Sequence, residues 1–209
     1  MEYRNNKMVV IADNYPSLGR PVNVFVQQFV EQIVDMGIDV SVIAPQSVTN
    51  SFIRGNKLRE KMAVVITSQG NRYNVFRPYT FTTGNKIKIL DKIFNFFLRK
   101  SLANIIKRIN PNVIYGHFWQ SAHNAYQIAK KCNIPIFVAS GESSIRIDCS
   151  DKKGIKEFAD YVAGVICVST KNKNESVALG LTIPEKCIVI PNAIDPSKFY
   201  KKDRPKYKN

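Results

Sequence analysis

The sequence lacks the residues of a metal centre. Its 209 residues include two histidines, His117 and His123, and four scattered cysteines without a Cys-x-x-Cys pair. Zinc sites need clustered histidine and cysteine ligands. We therefore predict no metal site and interpret the four cysteines as structural residues.

Long hydrophobic runs are also absent. No apolar run approaches the ~20 residues that a membrane span needs. The apolar core near the N-terminus, residues 8–12, is shorter than the roughly 7–15 residues of a secretory signal. We therefore expect the protein to reside in the cytoplasm.

The usual glycine-rich motifs are missing as well. Neither G-x-G-x-x-G nor G-x-x-x-x-G-K-[ST] occurs, and there is no G-x-S-x-G. The loop after the first apolar run holds a single glycine, Gly19. These absences argue against a dinucleotide-binding domain, a P-loop and a serine-hydrolase elbow. We predict no cofactor.

Acidic residues are scarce relative to basic ones. The chain has 31 Lys and Arg against 16 Asp and Glu, for a net charge of +15. Such a field attracts phosphates, whether in nucleic acid, anionic lipid head groups or sugar nucleotides. No RRM signature, zinc finger or helix-turn-helix spacing is present, so we expect no specific nucleic-acid partner.

Short apolar runs alternate with stretches of helical periodicity. Strands are predicted at 8–12, 39–45, 62–67, 73–79, 112–116, 134–140, 164–169 and 186–192, and helices at 24–37, 86–109, 120–132, 153–162 and 170–180. The Val/Ile-rich runs lack alternation, which is typical of parallel strands covered on both faces. The order predicts an α/β fold with a Rossmann-like, doubly wound, mostly parallel sheet flanked by helices.

Ligands of such sheets bind outside the carboxyl ends of the strands. His117 directly follows the predicted strand 112–116 and is therefore expected at that edge. We predict one Rossmann-like domain over 1–192, with 193–209 as the start of an interdomain linker or basic tail.

Three segments together resemble the N-terminal half of family 4 glycosyltransferases. They are ADNYPSLGRPVNVFVQQFVEQIVDMGIDVSVIAP (12–45), INPNVIYGHFW (109–119) and VICVSTKNKNESVALGLTIPEKCIVIPNAIDPSKF (165–199). The last one is similar to the family's stretch that precedes its second domain. The resemblance implies a retaining enzyme of the GT-B fold, in which two Rossmann-like domains face each other.

The chain departs from the family pattern at several places. Asn23 stands where the family carries a glycine before the first helix, Ala193 replaces the glycine of P-N-G, and ASGESS (139–144) has no histidine. The family's donor-binding glutamates, its Arg/Lys pair and its second domain are missing. We therefore expect this chain alone to be nearly inactive.

The resemblance implies a role for His117. It places this histidine in the cleft that faces the sugar donor, where an imidazole can hydrogen-bond a hydroxyl and titrate near neutrality. The alternative is a histidine that only satisfies its own hydrogen bonds at the start of a loop. If the imidazole assists proton transfer, His117→Ala should lower the turnover of a complete enzyme about 10²-fold or more.

Further substrate-binding residues are implied around the same edge. Gly19 and Asn23 are candidates to place donors near the phosphates of the sugar nucleotide. Phe118 and Trp119 offer flat faces to sugar rings, and Trp119 is alternatively a core residue. Two polar residues after strand 134–140 are expected to face the same cleft, with a solvated turn as the alternative: Glu142 and Ser143.

The predicted helix 86–109 has one apolar stripe and one mixed face. The stripe, expected to face the core, comprises Ile87, Leu90, Phe94, Phe97, Leu98, Leu102, Ile105 and Ile109. The mixed face comprises Lys88, Lys92, Arg99, Lys100, Lys107, Ile89, Ile93 and Phe96. Cations interleaved with apolar residues are typical of a helix that docks on anionic lipid. Alternatively, the apolar members pack under a neighbouring loop and the lysines are solvated.

Two functions from different classes follow. The first is the acceptor-binding domain of a glycosyltransferase that moves a hexose from a sugar nucleotide to a glycan or lipid-linked acceptor. Its partners are the donor, the acceptor, a separate donor-binding domain and an anionic membrane surface, so its location is cytoplasmic or peripheral on the inner face of a membrane. The second is a non-enzymatic basic α/β domain that binds lipid head groups or nucleic acid.

Overall fold

The computed structural model describes residues 6–13, 15–17, 22–84, 86–147 and 152–192. The strands are β1 Lys7–Ala12, β2 Asp39–Ile43, β3 Gln46–Ser47, β4 Met62–Ile66, β5 Arg72–Phe76, β6 Tyr79–Thr80, β7 Val113–His117, β8 Ile136–Ser140, β9 Val162–Cys167 and β10 Cys187–Val189. The helices are α1 Val24–Asp35, α2 Val48–Ile53, α3 Lys88–Ile109, α4 Trp119–Cys132, α5 Lys152–Tyr161 and α6 Thr170–Ala178, with a 3-10 turn at Pro184–Lys186.

Eight of these strands form a single sheet in the order β10-β9-β8-β7-β1-β2-β5-β4. All neighbours pair in parallel except β4, which is antiparallel to β5. The predicted doubly wound, mostly parallel sheet is confirmed. The chain proceeds from β1 to β2 on one side, and β7 to β10 extend on the other. The order therefore reverses between β1 and β7, which is where such sheets bind ligands.

Helices cover the sheet unequally on its two faces. Side chains alternate along β1, so Val9 and Ile11 join the core under α3 to α6, while Val10 and Ala12 join the core under α1. On the α1 face, β8 and β10 expose Phe137 and Ile188. An apolar strip of the sheet beside α1 is therefore uncovered among the described residues.

The buried face of α3 differs from the predicted stripe. Asp91, Leu98, Leu102 and Ile106 are buried, whereas three predicted core residues, Ile87, Leu90 and Phe97, are exposed. The Asp91 carboxylate accepts hydrogen bonds from the Thr83 amide (2.7 Å) and the Thr82 hydroxyl (3.3 Å). The helix therefore turns this polar group, and not Ile87, Leu90 or Phe97, toward the interior, where its hydrogen bonds are satisfied.

Candidate functional site

The turn that carries His117 is shaped by a close approach between β7 and α4. A Cβ added to Gly116 would lie 2.4 Å from Cβ and 2.6 Å from Cα of Ala122, so β7 meets α4 where only glycine fits. The next helix begins at once, with Phe118 at φ 76° and ψ 155°. This region is strained for a bulky residue. His117 is the last residue of β7 and not the first residue after it.

The sheet register places the predicted site residues along one edge. His117 pairs with Ala12 at the end of β1 and with Ala139 near the end of β8. Asp13 follows Ala12, and Glu142 comes two residues after the end of β8. Gly19, also expected there, lies outside the described residues, as does Asn14. The imidazole therefore lies at the position where the strand order reverses.

The His117 side chain is held in an apolar environment. It is 7% exposed, and its ring centroid lies 5.2 Å from that of Phe25 and 4.1 Å from that of Phe118. Within the described residues its Nε2 atom has no hydrogen-bond partner. The side chain lines a cavity of about 370 Å³ on the uncovered α1 face, together with Phe29, Tyr115 and Ile190. We call this cavity the histidine groove.

Burial sets the charge state of this imidazole. Loss of water lowers the pKa of His117 from 6.5 to about 4, because an apolar environment disfavours the charged ring. The expectation that His117 titrates near neutrality is therefore wrong. At neutral pH the ring is uncharged, and its Nε2 atom can donate or accept one hydrogen bond, depending on the tautomer.

This lowered pKa predicts an acid-dependent loss of stability. The unfolded chain binds the proton below pH 6.5 and the folded chain only near pH 4, so stability falls as the pH drops between these values. Between pH 7 and pH 4.5 the loss should reach about 2 kcal/mol more in the wild type than in His117→Gln. Urea unfolding of both proteins at the two pH values measures it. His123 is present in both and cancels, and equal losses would show that His117 is solvated.

Glu142 organises the turns at this edge. One carboxylate oxygen accepts from the Trp119 amide (2.9 Å) and the other from the Gly141 amide (3.0 Å). Its backbone carbonyl accepts from the Asn172 side chain (2.8 Å). Glu142 therefore ties the end of β8 to the first residue of α4. Ser143 is exposed, and its carbonyl accepts from the Lys171 amine (2.8 Å).

Asn23 keeps the backbone conformation that favours glycine. It precedes α1 with φ 51° and ψ 42°, a left-handed geometry that asparagine tolerates better than most residues. Its side-chain amide donates to the Asp13 carbonyl (3.0 Å), which joins the start of α1 to the end of β1. In this structure the amide is thus engaged within the protein, at the edge where the resemblance places the donor phosphates.

The two aromatic residues after His117 have different positions. Phe118 is half-buried against the imidazole. Trp119 is fully buried, and its indole donates to the Ser176 hydroxyl (3.3 Å). Trp119 therefore belongs to the core, which was the alternative interpretation of the sequence. It presents no face to a sugar. The helical pattern of the sequence starts at residue 120, so it did not indicate that α4 begins at Trp119.

A second, polar cavity lies on the α3 and α4 side of the same edge, and the sequence patterns did not reveal it. Its volume is about 560 Å³, and its lining includes Asp13, Asn50, Thr82, Asn95, Gln120, Asn124 and Arg146. We call it the polar cavity. Burial raises the pKa of Asp13 above its usual value. Gln120 and Asn124 lie one turn apart on α4 and are hydrogen-bonded to each other (3.1 Å). This pair of amides at helical spacing was the sequence signal that could have indicated the polar cavity. Neutral amides and hydroxyls dominate the lining.

Across the described ranges, no group of three or more His, Cys, Asp or Glu side chains is placed to hold a metal ion. None of the described helices has the length and hydrophobicity to cross a membrane.

The chain matches a known protein family over most of its length. The model of Glycosyltransferase Family 4 matches residues 22–198. The chain belongs to this family. The match begins just before α1 and includes β7, the residues that line the histidine groove and those that line the polar cavity except Asp13; β1 and Asp13 precede it. A comparison with curated proteins found no matching sequence.

Solved structures share the fold of this chain. Sucrose-phosphate synthase from Thermosynechococcus elongatus matches 93% of this chain over 50% of its own length, with TM-score 0.61 and 14% identity. A glycosyltransferase from Rickettsia africae matches 95% over 47%, with TM-score 0.57 and 12% identity. Anabaena HepE in complex with UDP and glucose matches 92% over 46%, with TM-score 0.54 and 10% identity. At these identities the likeness shows the fold alone.

The chain spans about half the length of these structures. Its fold therefore matches one half of a GT-B structure. The fold is shared beyond sugar transfer, since a UDP-GlcNAc 2-epimerase from Methanocaldococcus jannaschii also matches, with TM-score 0.55 and 10% identity.

Proposed function

We propose that this family 4 domain is the acceptor-binding side of a retaining hexosyltransferase that uses a sugar nucleotide as co-substrate. One observation carries the proposal. The uncharged imidazole of His117 has a free Nε2 atom and lies where the strand order reverses between β1 and β7. It lines the histidine groove at the edge where such sheets bind ligands. A buried, unpaired ring nitrogen is costly unless a ligand supplies its partner.

The His117 imidazole contacts a sugar hydroxyl in this proposal. Because the ring is uncharged, it orients that hydroxyl through a hydrogen bond. Phe118 and Phe25 flank the ring and exclude water from it. Glu142 and Gly116 act as positioning residues, since they fix the turn from which the imidazole projects.

The donor-binding residues belong to a second domain that faces this edge. HepE, which shares the fold over about half its length, was solved in complex with UDP-glucose. This supports a sugar nucleotide as the donor. The acceptor is a glycan, free or lipid-linked, whose hydroxyls suit the amides and hydroxyls of the polar cavity. In this proposal the protein resides in the cytoplasm or peripherally on the inner face of a membrane.

A second function is favoured by the distribution of charge. The segments 48–58 and 86–109 hold nine Lys and Arg and one acidic residue, the buried Asp91. A domain of this kind binds anionic partners through its surface without transferring a sugar.

The two histidine signals in an NMR spectrum separate these functions. Addition of an uncharged oligosaccharide or UDP-glucose should shift the imidazole signal of His117 at low and high salt. The His123 signal, from a ring packed against Phe158 at 5.1 Å, should stay in place. His117→Gln assigns the two signals. If nucleic acid binds in a salt-sensitive way and neither sugar ligand moves the His117 signal, the non-enzymatic function is correct.

A further inference from the structure

The N-terminal half of α3 exposes more apolar surface than a solvated helix does. Ile89 is 73% exposed and Phe96 is 63% exposed. The other large apolar side chains exposed here are Ile87, Leu90, Ile93 and Phe97. The alternative that Ile89, Ile93 and Phe96 pack under a neighbouring loop is thus wrong for these residues. Large contiguous apolar patches on a protein surface mark a site of interaction.

Helix α2 carries a second exposed apolar pair. Phe52 is 88% exposed and Ile53 is 78% exposed. The sequence patterns predicted no helix here, although Ser47 caps α2 by accepting from the Asn50 amide (3.2 Å). These two side chains have no packing role in the described core, so their exposure calls for a partner.

Hydrogen bonds join the two helices. Thr49 on α2 donates its hydroxyl to the Thr82 carbonyl (2.9 Å) and accepts from the Thr82 amide (3.0 Å). The adjacent Thr83 amide donates to Asp91 on α3 (2.7 Å). The loop between them adds the exposed Phe81, whose ring lies 5.5 Å from that of Phe94. The exposed side chains of residues 52–58, Phe81 and residues 86–100 therefore belong to one connected unit, which we call the docking surface.

The docking surface is strongly cationic. Its exposed basic side chains are Arg54, Lys57, Lys86, Lys88, Lys92 and Lys100, while Arg99 is half-buried. The one acidic residue of these segments, Asp91, is buried and engaged with the loop. A second copy of this chain would oppose like charges on this surface, whereas an anionic bilayer would complement them.

We propose that the tip of α2 and the N-terminal half of α3 dock on a bilayer that contains anionic lipid. Apolar side chains enter the interface and the lysines contact the head groups. Asn50 on α2 and Asn95 on α3 both line the polar cavity, so docking brings that cavity next to the membrane. This inference deepens the proposed function, on which it rests for the nature of the ligand: the acceptor is one carried by the bilayer.

Cosedimentation with vesicles tests the charge component. The chain should sediment with phosphatidylcholine vesicles that contain phosphatidylglycerol and not with phosphatidylcholine alone. Each basic residue near such a surface contributes about 1 kcal/mol. The triple variant Lys88→Gln, Lys92→Gln, Lys100→Gln should therefore bind about a hundredfold more weakly at low salt. The control Arg72→Gln, Lys131→Gln, Lys156→Gln removes the same charge from exposed sites elsewhere and should bind like the wild type.

Apolar variants test the insertion of side chains. Phe52→Ser with Ile53→Ser, and separately Ile89→Ser with Phe96→Ser, should each lower the binding that survives at high salt at least tenfold. The matched control is Val64→Ser with Ile66→Ser on β4, which removes two apolar side chains, each 58% exposed, outside the docking surface. Because all these positions are exposed, the variants should retain the circular dichroism spectrum of the wild type.

Several results would overturn the proposal. These are equal binding to both kinds of vesicle, wild-type binding by any of the three docking-surface variants, and self-association through α3 without vesicle binding. Failure here is distinguishable from failure of the proposed function, since the His117 imidazole signal reports sugar binding without any vesicle. A chain whose His117 signal shifts with oligosaccharide but that ignores anionic vesicles has the proposed function and a soluble acceptor.

Discussion

Gly116→Ala should lower the free energy of unfolding by more than about 3 kcal/mol. The added Cβ would lie 2.4 Å from the Ala122 Cβ, 2.6 Å from its Cα and 2.7 Å from its amide nitrogen. Two of these atoms are backbone atoms of α4, so no side-chain rotation relieves the clash. For a chain of this size the midpoint of thermal unfolding should fall by about 6 to 12 °C.

Two controls make the Gly116 result specific. Gly70→Ala has open space around the added Cβ but a φ of 86°, so it should cost only about 1–2 kcal/mol of backbone strain. The double variant Gly116→Ala, Ala122→Gly should remain destabilised, because the backbone atoms of residue 122 are still in the way. Recovery of stability in the double variant would mean that the contact between β7 and α4 is a side-chain contact that the fold can adjust.

Sequence patterns predicted most of the fold for a physical reason. Buried parallel strands need continuous apolar runs, and the runs at β1, β7, β8 and β9 are of this kind. The short β3 and β6 and the six-residue α2 were missed because they have too few residues for a periodic pattern. The resemblance to family 4 glycosyltransferases predicted the family of the chain, which periodicity alone did not.

The candidate site was less predictable because exposure and pairing depend on tertiary structure. Asp91 breaks the apolar stripe of α3 in sequence, and only its bonds to the 82–83 loop explain why it points inward. The pKa of His117 depends on the packing of Phe25 and Phe118, one of which is remote in the chain. The polar cavity is built from six separate segments, and no local pattern predicts such a convergence.

The isolated 209-residue chain should transfer sugar at a rate lower than that of a complete two-domain form by a factor of about 10⁵ or more. In the proposed mechanism the donor is held by the facing domain, and the acceptor hydroxyl meets it at the edge that carries His117. Without that domain the donor must encounter the acceptor by diffusion, so the advantage of holding both reactants together is lost. Effective molarities of well-oriented reactants reach about 10⁵–10⁸ M.

An assay with UDP-glucose and an oligosaccharide acceptor measures this difference. The complete form is obtained by joining the chain to the second half of a family 4 enzyme. In that form His117→Ala should reduce kcat/KM about 10- to 100-fold, the effect of leaving a buried sugar hydroxyl without its hydrogen-bond partner. The same substitution should leave the negligible rate of the isolated chain unchanged. Efficient transfer by the isolated chain would show that it holds both substrates itself, because no other arrangement of one domain brings donor and acceptor together at the required rate.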